Sequence, residues 1–135
     1  MHQNKTPIEI TQELIAIHTT RNEVLDKIRE KEIEGDWSDK FSALHAQSDQ
    51  FIMELMAELS NFGDSVQSHV DRTDEYHTAS QNMLNQIDSL NPSDLSSEWD
   101  QLEKILRKIY RDILEIGSEL PESLAAIVAA QAGRL

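Results

Sequence analysis

Apolar residues recur at steps of three and four along most of the chain, which is the spacing of one face of an α-helix. Five stretches with this spacing predict five helices separated by short turns. They cover about residues 8–33, 38–61, 65–90, 95–120 and 122–132. Residues typical of helix ends support these boundaries: Thr6 and Pro7 precede the first helix, Gly63 follows the second, and Asn91 and Pro92 precede the fourth.

The fourth predicted helix has the most regular pattern, a seven-residue repeat kept over more than three heptads. Its apolar positions are Leu95, Trp99, Leu102, Leu106, Ile109, Ile113, Ile116 and Leu120. The third predicted helix has the thinnest apolar stripe. We nevertheless expect it to be a full member of the bundle, because its predicted length exceeds that of the fifth by about ten residues.

Part of the first predicted helix is repeated in the third. Residues Ile17–Ile28 align with Tyr76–Ile87, with His, Thr, Leu and Ile identical. Each copy leads to a tryptophan, Trp37 or Trp99, which we expect to open the next helical stretch. Two helical hairpins, residues 8–62 and 65–120, explain this pattern, and chance similarity between amphipathic helices is the alternative. A hairpin cannot bury its apolar faces alone. We therefore predict one domain over residues 1–135: an all-α, antiparallel up-down four-helix bundle with a short C-terminal helix.

The composition excludes several classes of function. The chain has 135 residues, a net charge of −13 and no cysteine. Its acidity argues against binding nucleic acid or an anionic membrane, because both need clustered Lys and Arg. No apolar run reaches the roughly 18 residues of a membrane span, and the polar start is unlike a signal peptide. These observations predict a cytoplasmic protein without thiolate metal sites.

The second predicted helix carries a resemblance to a known family. Residues Ala46–Gly63 resemble the second helix of an uncharacterised bacterial family of ferritin-like four-helix bundles, in which an Ala-Gln pair, a Phe, a Glu-Leu pair, another Glu and a closing Gly recur in this order. Residues 110–114, Leu120, Pro121 and Gln131 are similar to the family's later helices. The resemblance would make the third segment a crossover and the fifth a full bundle member.

The first hairpin also resembles another class of protein. Gly35, Asp36 and Trp37, followed by a helix centred on Leu44, are similar to the hairpin of flagellar export chaperones of the FliT type. Those are small acidic helical proteins that shield a helix of a partner. The match covers about 40 residues and lacks the arginine that usually follows the tryptophan.

The ferritin-like resemblance can be tested against the ligands that a di-iron bundle requires. Such a site uses a Glu from each of two helices and a Glu-x-x-His pair from each of the other two. No Glu-x-x-His occurs in this sequence. The corresponding positions are Asn22 or Arg21 on the first helix, Gln47 and Gln50 on the second, Glu103 on the third helix of the motif and Gln131 on the last. We therefore predict no catalytic metal, no cofactor and no enzymatic activity.

Histidines are the remaining metal candidates. His18 and His77 occupy equivalent places in the repeat, and with His45, His69 and Glu103 they form the set to examine if a metal is found. Most helical histidines are instead solvated or paired with a carboxylate.

Three polar residues, Arg21, Ser48 and His77, interrupt apolar stripes. They could form a buried polar layer that fixes the helix register. The more ordinary interpretation, which we prefer from sequence, is that they lie at the edge of the core and reach water.

These patterns favour a non-enzymatic ferritin-like bundle that acts through protein association. An export-type chaperone that binds a partner helix and a metal-binding stress-response protein are the alternatives. A homodimer is expected because several apolar residues flank the stripes and widen the apolar faces. These residues are Ile15, Ile52, Met56, Ile105, Tyr110, Leu114 and Val128.

Overall fold

A computed structural model describes residues 6–30, 37–63, 74–116 and 119–135. All secondary structure in these ranges is helical, which confirms the all-α prediction. The helices are α1 (Pro7–Glu30), α2 (Trp37–Asn61), α3 (Glu75–Gln86), α4 (Pro92–Ile116) and α5 (Glu122–Arg134), with a 3-10 turn at Ile87–Ser89. Within the described ranges, none of the helices has the length and apolarity needed to cross a membrane.

Local hydrogen bonds explain where α1 and α4 begin and where α2 ends. The Thr6 hydroxyl accepts from the Glu9 amide at 3.1 Å, and the Glu9 carboxylate accepts from the Thr6 amide at 3.3 Å. This reciprocal pair is a capping box. The Asn91 side chain similarly accepts from the Asp94 amide at 2.8 Å. Gly63 follows α2 with φ of +76°, a conformation that costs glycine little.

Helix α3 is shorter than the sequence predicted. It begins at Glu75 rather than about Ser65, because the Asp74 carboxylate caps it by accepting from the His77 amide at 3.0 Å. Its 12 residues do not exceed the 13 of α5, so the predicted difference in length between the third and fifth helices is wrong. The first part of the predicted segment, residues 65–73, lies outside the described residues.

Consecutive helices alternate in direction, as the up-down prediction requires. Helix α1 packs against α2 and α3, α4 packs against α3 and α5, and α5 also packs against α2. Helix α5 lies opposite the part of α2 from Gln47 to Glu58. Helix α3 lies beside α1 from Ala16 towards its C-terminal end. The two short helices therefore cover opposite ends of the bundle and overlap near His18 and Arg21.

The core confirms the heptad pattern of α4. Leu95, Trp99, Leu102, Leu106 and Ile113 are buried, and the other α4 positions of the pattern are partly buried. The repeat predicted that Trp99 opens a helix, and this prediction is wrong because α4 begins at Pro92. Trp99 lies within α4 and packs edge-on against Phe41 at 5.9 Å between ring centroids. Trp37 does open α2, and its side chain lies outside the described set.

Most residues expected to widen the apolar surface are used inside the monomer. Ile15, Tyr110 and Val128 are buried in the core. Ile52, Ile105 and Leu114 are partly buried against the core. In the described part of the chain, only Met53 and Met56 are large apolar side chains that remain exposed.

Candidate functional site: a buried polar network

An ion pair between Arg21 of α1 and Glu103 of α4 lies at the centre of the bundle. The guanidinium Nη2 donates to Glu103 Oε1 at 2.5 Å, and only 1% of the Arg21 side chain is exposed. Nη1 donates to Gln47 Oε1 at 2.8 Å and to Ser48 Oγ at 3.0 Å. Arg21 therefore does not reach water, and the sequence interpretation that placed it at the edge of the core is wrong.

The surroundings of Arg21 explain how a charge can be buried here. An isolated guanidinium would lose several kcal/mol of hydration on entering the core. Glu103 supplies the opposite charge, and the oxygens of Gln47 and Ser48 satisfy a further nitrogen. The Trp99 ring lies 5.8 Å from the guanidinium carbon, where its π-electrons favour a cation.

A directed chain of hydrogen bonds continues from Ser48 through His18 and Tyr110. The Tyr110 hydroxyl donates to Gln131 Oε1 at 2.6 Å. Because this uses its only hydrogen, the 2.7 Å contact with His18 must have Nε2 as the donor. Nδ1 is then an acceptor, and it receives the Ser48 hydroxyl at 3.3 Å. Ser48 can donate in this direction because Arg21 donates to its oxygen.

This series of hydrogen bonds ends at the carboxylate of Glu54, near the surface. The Gln131 amide nitrogen donates to Glu54 Oε1 at 3.0 Å and to the Phe51 carbonyl at 3.2 Å. Arg134 binds the same Glu54 carboxylate at 2.9 Å. The Gln47 side chain accepts from Arg21 and donates to the Arg134 carbonyl at 2.9 Å. A second set of hydrogen bonds therefore connects Arg21 with α5. One connected network thus joins α1, α2, α4 and α5.

The protonation states of the network follow from burial and neighbouring charge. Burial, and secondarily the positive charge of Arg21, lowers the pKa of His18 to about 3, so this ring is neutral at physiological pH. Burial also raises the pKa of Tyr110. Burial opposes ionisation of Glu54, but hydrogen bonds from Gln131, Gln50 and Arg134 and the charge of Arg134 lower its pKa overall. Neither His18 nor Tyr110 changes protonation near neutral pH. The network is therefore suited to fixing helix positions and poorly suited to acid–base catalysis.

The histidine candidates are dispersed. His18 belongs to the network, whereas His45 contacts the carboxylates of Asp26 at 3.3 Å and Asp49 at 3.2 Å. His77 is buried, so its predicted position at the edge of the core is also wrong, and its ring contacts Asp74 at 2.7 Å. His69 lies outside the described residues. Across the described part of the chain, no three His, Asp or Glu side chains are grouped so that they could hold a metal.

The positions that the ferritin-like resemblance assigned to ligands have other roles. Glu103 binds Arg21, and Gln131 links Tyr110 to Glu54. Of the two α1 alternatives, Arg21 points inward, whereas the Asn22 amide donates to Asp49 at 2.9 Å. Gln47 reaches the network, and Gln50 is exposed and donates to Glu54.

Sequence reasoning missed part of this network. The sequence pattern places Tyr110 among the apolar residues beside the stripe, and it predicts no role for Glu54 or Arg134 in a polar network. The polar interruptions at Arg21 and Ser48 were the available signal, since two polar residues on facing stripes need partners if they are buried.

Comparisons of this chain with protein-family models, curated proteins and solved structures found no match.

Proposed function

We propose that this chain is a non-enzymatic helical bundle that acts through protein association, beginning with pairing of two copies through α2. The observation that carries the proposal is an uncharged row of exposed residues, which we term the α2 face. Its members recur at steps of three and four along the outside of the helix. They are Ala43, Ala46, Gln50, Met53, Ala57 and Ser60.

The charge of the protein supports the use of this face. Each copy has a net charge of −13, so two copies repel each other over most of their surfaces. The nearby acids of α2 are largely engaged within the monomer. Glu58 is buried and accepts from Ser123 at 2.9 Å, and Glu54 binds Gln131 and Arg134. Asp49 also lies beside the face and is 57% exposed, and it pairs with Asn22 and His45. The α2 face therefore allows two acidic copies to meet with few opposing carboxylates.

The side chains of the α2 face are also suited to helix packing. Alanine and serine allow two helix backbones to approach closely. Met53 is 66% exposed and the adjacent Met56 is 46% exposed, and methionine adapts its shape to irregular apolar surfaces. Antiparallel pairing of α2 with its symmetry mate would bury both methionines in a closed two-fold interface.

The interior supports a non-enzymatic role. The guanidinium of Arg21 binds Gln47 and Glu103, two of the positions that the ferritin-like resemblance assigned to metal ligands. A fixed positive charge there repels a metal ion. The ferritin-like and export-chaperone assignments and the cytoplasmic location stay predictions.

Light scattering coupled to size exclusion tests the pairing. The paired substitution Met53→Glu with Ala57→Glu adds two carboxylates to the α2 face. The matched control is Ser97→Glu with Gln101→Glu, which adds the same charge at the same spacing on exposed positions of α4. We expect a dimer for the unmodified protein and for the control, and a monomer for the α2 variant.

Two results would overturn the pairing proposal. One is a monomer mass for the unmodified protein at micromolar concentrations, which would leave the α2 face for a partner helix of another protein. The other is equal dissociation of both charged variants, which would show that net charge alone controls association.

A further inference from the structure

A groove between α1 and α3 is the strongest remaining feature of the molecule. It has a volume of about 370 Å³, which suits a small ligand. Its lining combines apolar surface, including Leu84, with the hydroxyl and amide side chains of Thr20, Ser80, Gln81 and Asn82. His77 and the carboxylate of Glu23 also line it. The groove is separate from the α2 face, so nothing in the pairing proposal depends on it.

Two residues that line this groove, Thr20 and Ser80, carry buried hydroxyls without hydrogen-bond partners in the described structure. The hydroxyls of Thr20, Tyr76 and Ser80 are unpaired, although these residues are only 5%, 0% and 0% exposed. Arg21 Nε and Glu103 Oε2 are also unpaired, because the ion pair uses the other nitrogen and the other oxygen.

The residues that carry these atoms are neighbours, either along a helix or through the ion pair. Thr20 and Ser80 both line the groove, and Arg21 follows Thr20 on α1. Tyr76 lies one turn before Ser80 on α3. Burial raises the pKa of Tyr76, the negative charge of Glu103 raises it further, and Arg21 and the Ser80 hydroxyl oppose the rise. The Tyr76 hydroxyl therefore lies close to both the groove and the ion pair, although it does not reach hydrogen-bond geometry with Ser80.

Unpaired buried groups are costly, so those that lie at a groove require a reason. Native proteins leave few buried donors and acceptors unsatisfied, and those that remain often mark a place where something binds. Here two unpaired hydroxyls belong to residues that line the groove, Thr20 of α1 and Ser80 of α3, whereas Tyr76, Arg21 and Glu103 do not line it.

We propose that this groove binds a small uncharged ligand rich in hydroxyl groups, of the polyol or monosaccharide class. Ligand hydroxyls both donate and accept, as do the hydroxyls of the groove residues Thr20 and Ser80 and the amides of Gln81 and Asn82. The ion pair of Arg21 and Glu103 has no net charge. A charged ligand in the nearby groove would therefore bring a charge that this pair does not neutralise. Leu84 provides the apolar contact that the C–H face of a sugar favours.

The test is an NMR titration of the full chain, labelled with ¹⁵N, with glycerol, myo-inositol and glucose at millimolar concentrations. We expect at least one probe to shift the amide signals of residues near Thr20, Tyr76 and Ser80, and to leave those of the α2 face unchanged. Thr20→Val and Ser80→Ala should each weaken the binding by about tenfold, since each removes one hydrogen bond.

A second readout separates an unpaired hydroxyl from one that is already satisfied by water. Without ligand, Thr20→Val and Ser80→Ala should raise the melting temperature by a few degrees, because each removes an unsatisfied buried group. The control is Thr11→Val, since the buried Thr11 hydroxyl donates to the Pro7 carbonyl at 2.7 Å. This variant should lower the melting temperature and leave ligand binding unchanged.

Either of two outcomes would overturn the proposal. If none of the three probes causes localised shifts, the groove is a hydrated part of the interior. If Thr20→Val and Ser80→Ala lower the melting temperature as Thr11→Val does, their hydroxyls are already paired. Failure of the dimer test would affect neither readout.

Discussion

The guanidinium of Arg21 on α1 binds the carboxylate of Glu103 on α4 at 2.5 Å in the interior of the bundle, beside the ring of Trp99. The two residues are 82 positions apart in sequence. Their pairing neutralises two charges that neither helix could bury alone. Arg21 also binds Gln47 and Ser48, and it thereby connects the pair to the other polar residues of the interior.

We expect Arg21→Met to destabilise the protein by about 3–5 kcal/mol, because it leaves the Glu103 carboxylate buried without its partner. The double variant Arg21→Met with Glu103→Met should recover much of this loss. Urea unfolding of both single variants and the double variant gives the coupling energy directly.

The control for this cycle is the exposed pair of Lys108 and Glu75, whose charged atoms are 3.9 Å apart. Lys108→Met should change the free energy of unfolding by less than about 1 kcal/mol, since exposed pairs contribute little. A cost for Arg21→Met as small as that for Lys108→Met would contradict the structural importance of the buried pair.

His18 should make the protein less stable as the pH falls from neutral. Burial and the Arg21 charge lower its pKa from 6.5 to about 3. The unfolded chain therefore binds a proton as the pH falls through 6.5, and the folded chain does not until about pH 3. Stability from this group is fully present above pH 6.5 and decreases towards pH 3, by about 1.4 kcal/mol per pH unit.

The measurement is urea unfolding at pH 7 and pH 5 for the unmodified protein and for His18→Gln. The unmodified protein should lose about 2 kcal/mol more than the variant over this interval. Other titrating groups are shared by both proteins, so the difference isolates His18. Its ring signals should also stay constant in NMR spectra between these pH values. Equal losses, or a ring that titrates near pH 6.5, would show that His18 is not held neutral.

Two buried tyrosines should respond in opposite ways to the loss of a hydroxyl. Tyr110 bonds to both His18 and Gln131, whereas the Tyr76 hydroxyl has no partner in the described structure. Tyr110→Phe should lower the free energy of unfolding by about 1–3 kcal/mol, because it leaves two buried polar groups unsatisfied. Tyr76→Phe should be neutral or stabilising.

The two substitutions are matched controls for each other, because both remove one oxygen from a tyrosine that is at most 1% exposed. Urea unfolding measures both under the same conditions. Equal destabilisation would mean that the Tyr76 hydroxyl is paired as fully as that of Tyr110.

The sequence by itself determined the helices and most of the residues that form the core. The heptad pattern of α4, the capping residues Thr6 and Asn91 and the terminal Gly63 act within a few residues of the backbone that they shape. Such local effects can be predicted without knowing the rest of the fold. The thin stripe of α3 was the exception, and there the Asp74 cap placed the start of the helix later than predicted.

Only the tertiary structure decided what the polar residues on the apolar stripes do. His18 and His77 look equivalent in the sequence repeat, yet one hydrogen-bonds Tyr110 of α4 and the other Asp74 of its own helix cap. Helical periodicity shows that Arg21 faces inward, but burial of its charge depends on whether Glu103, Gln47 and Ser48 reach it. Those partners come from other helices, and the packing of the bundle brings them together.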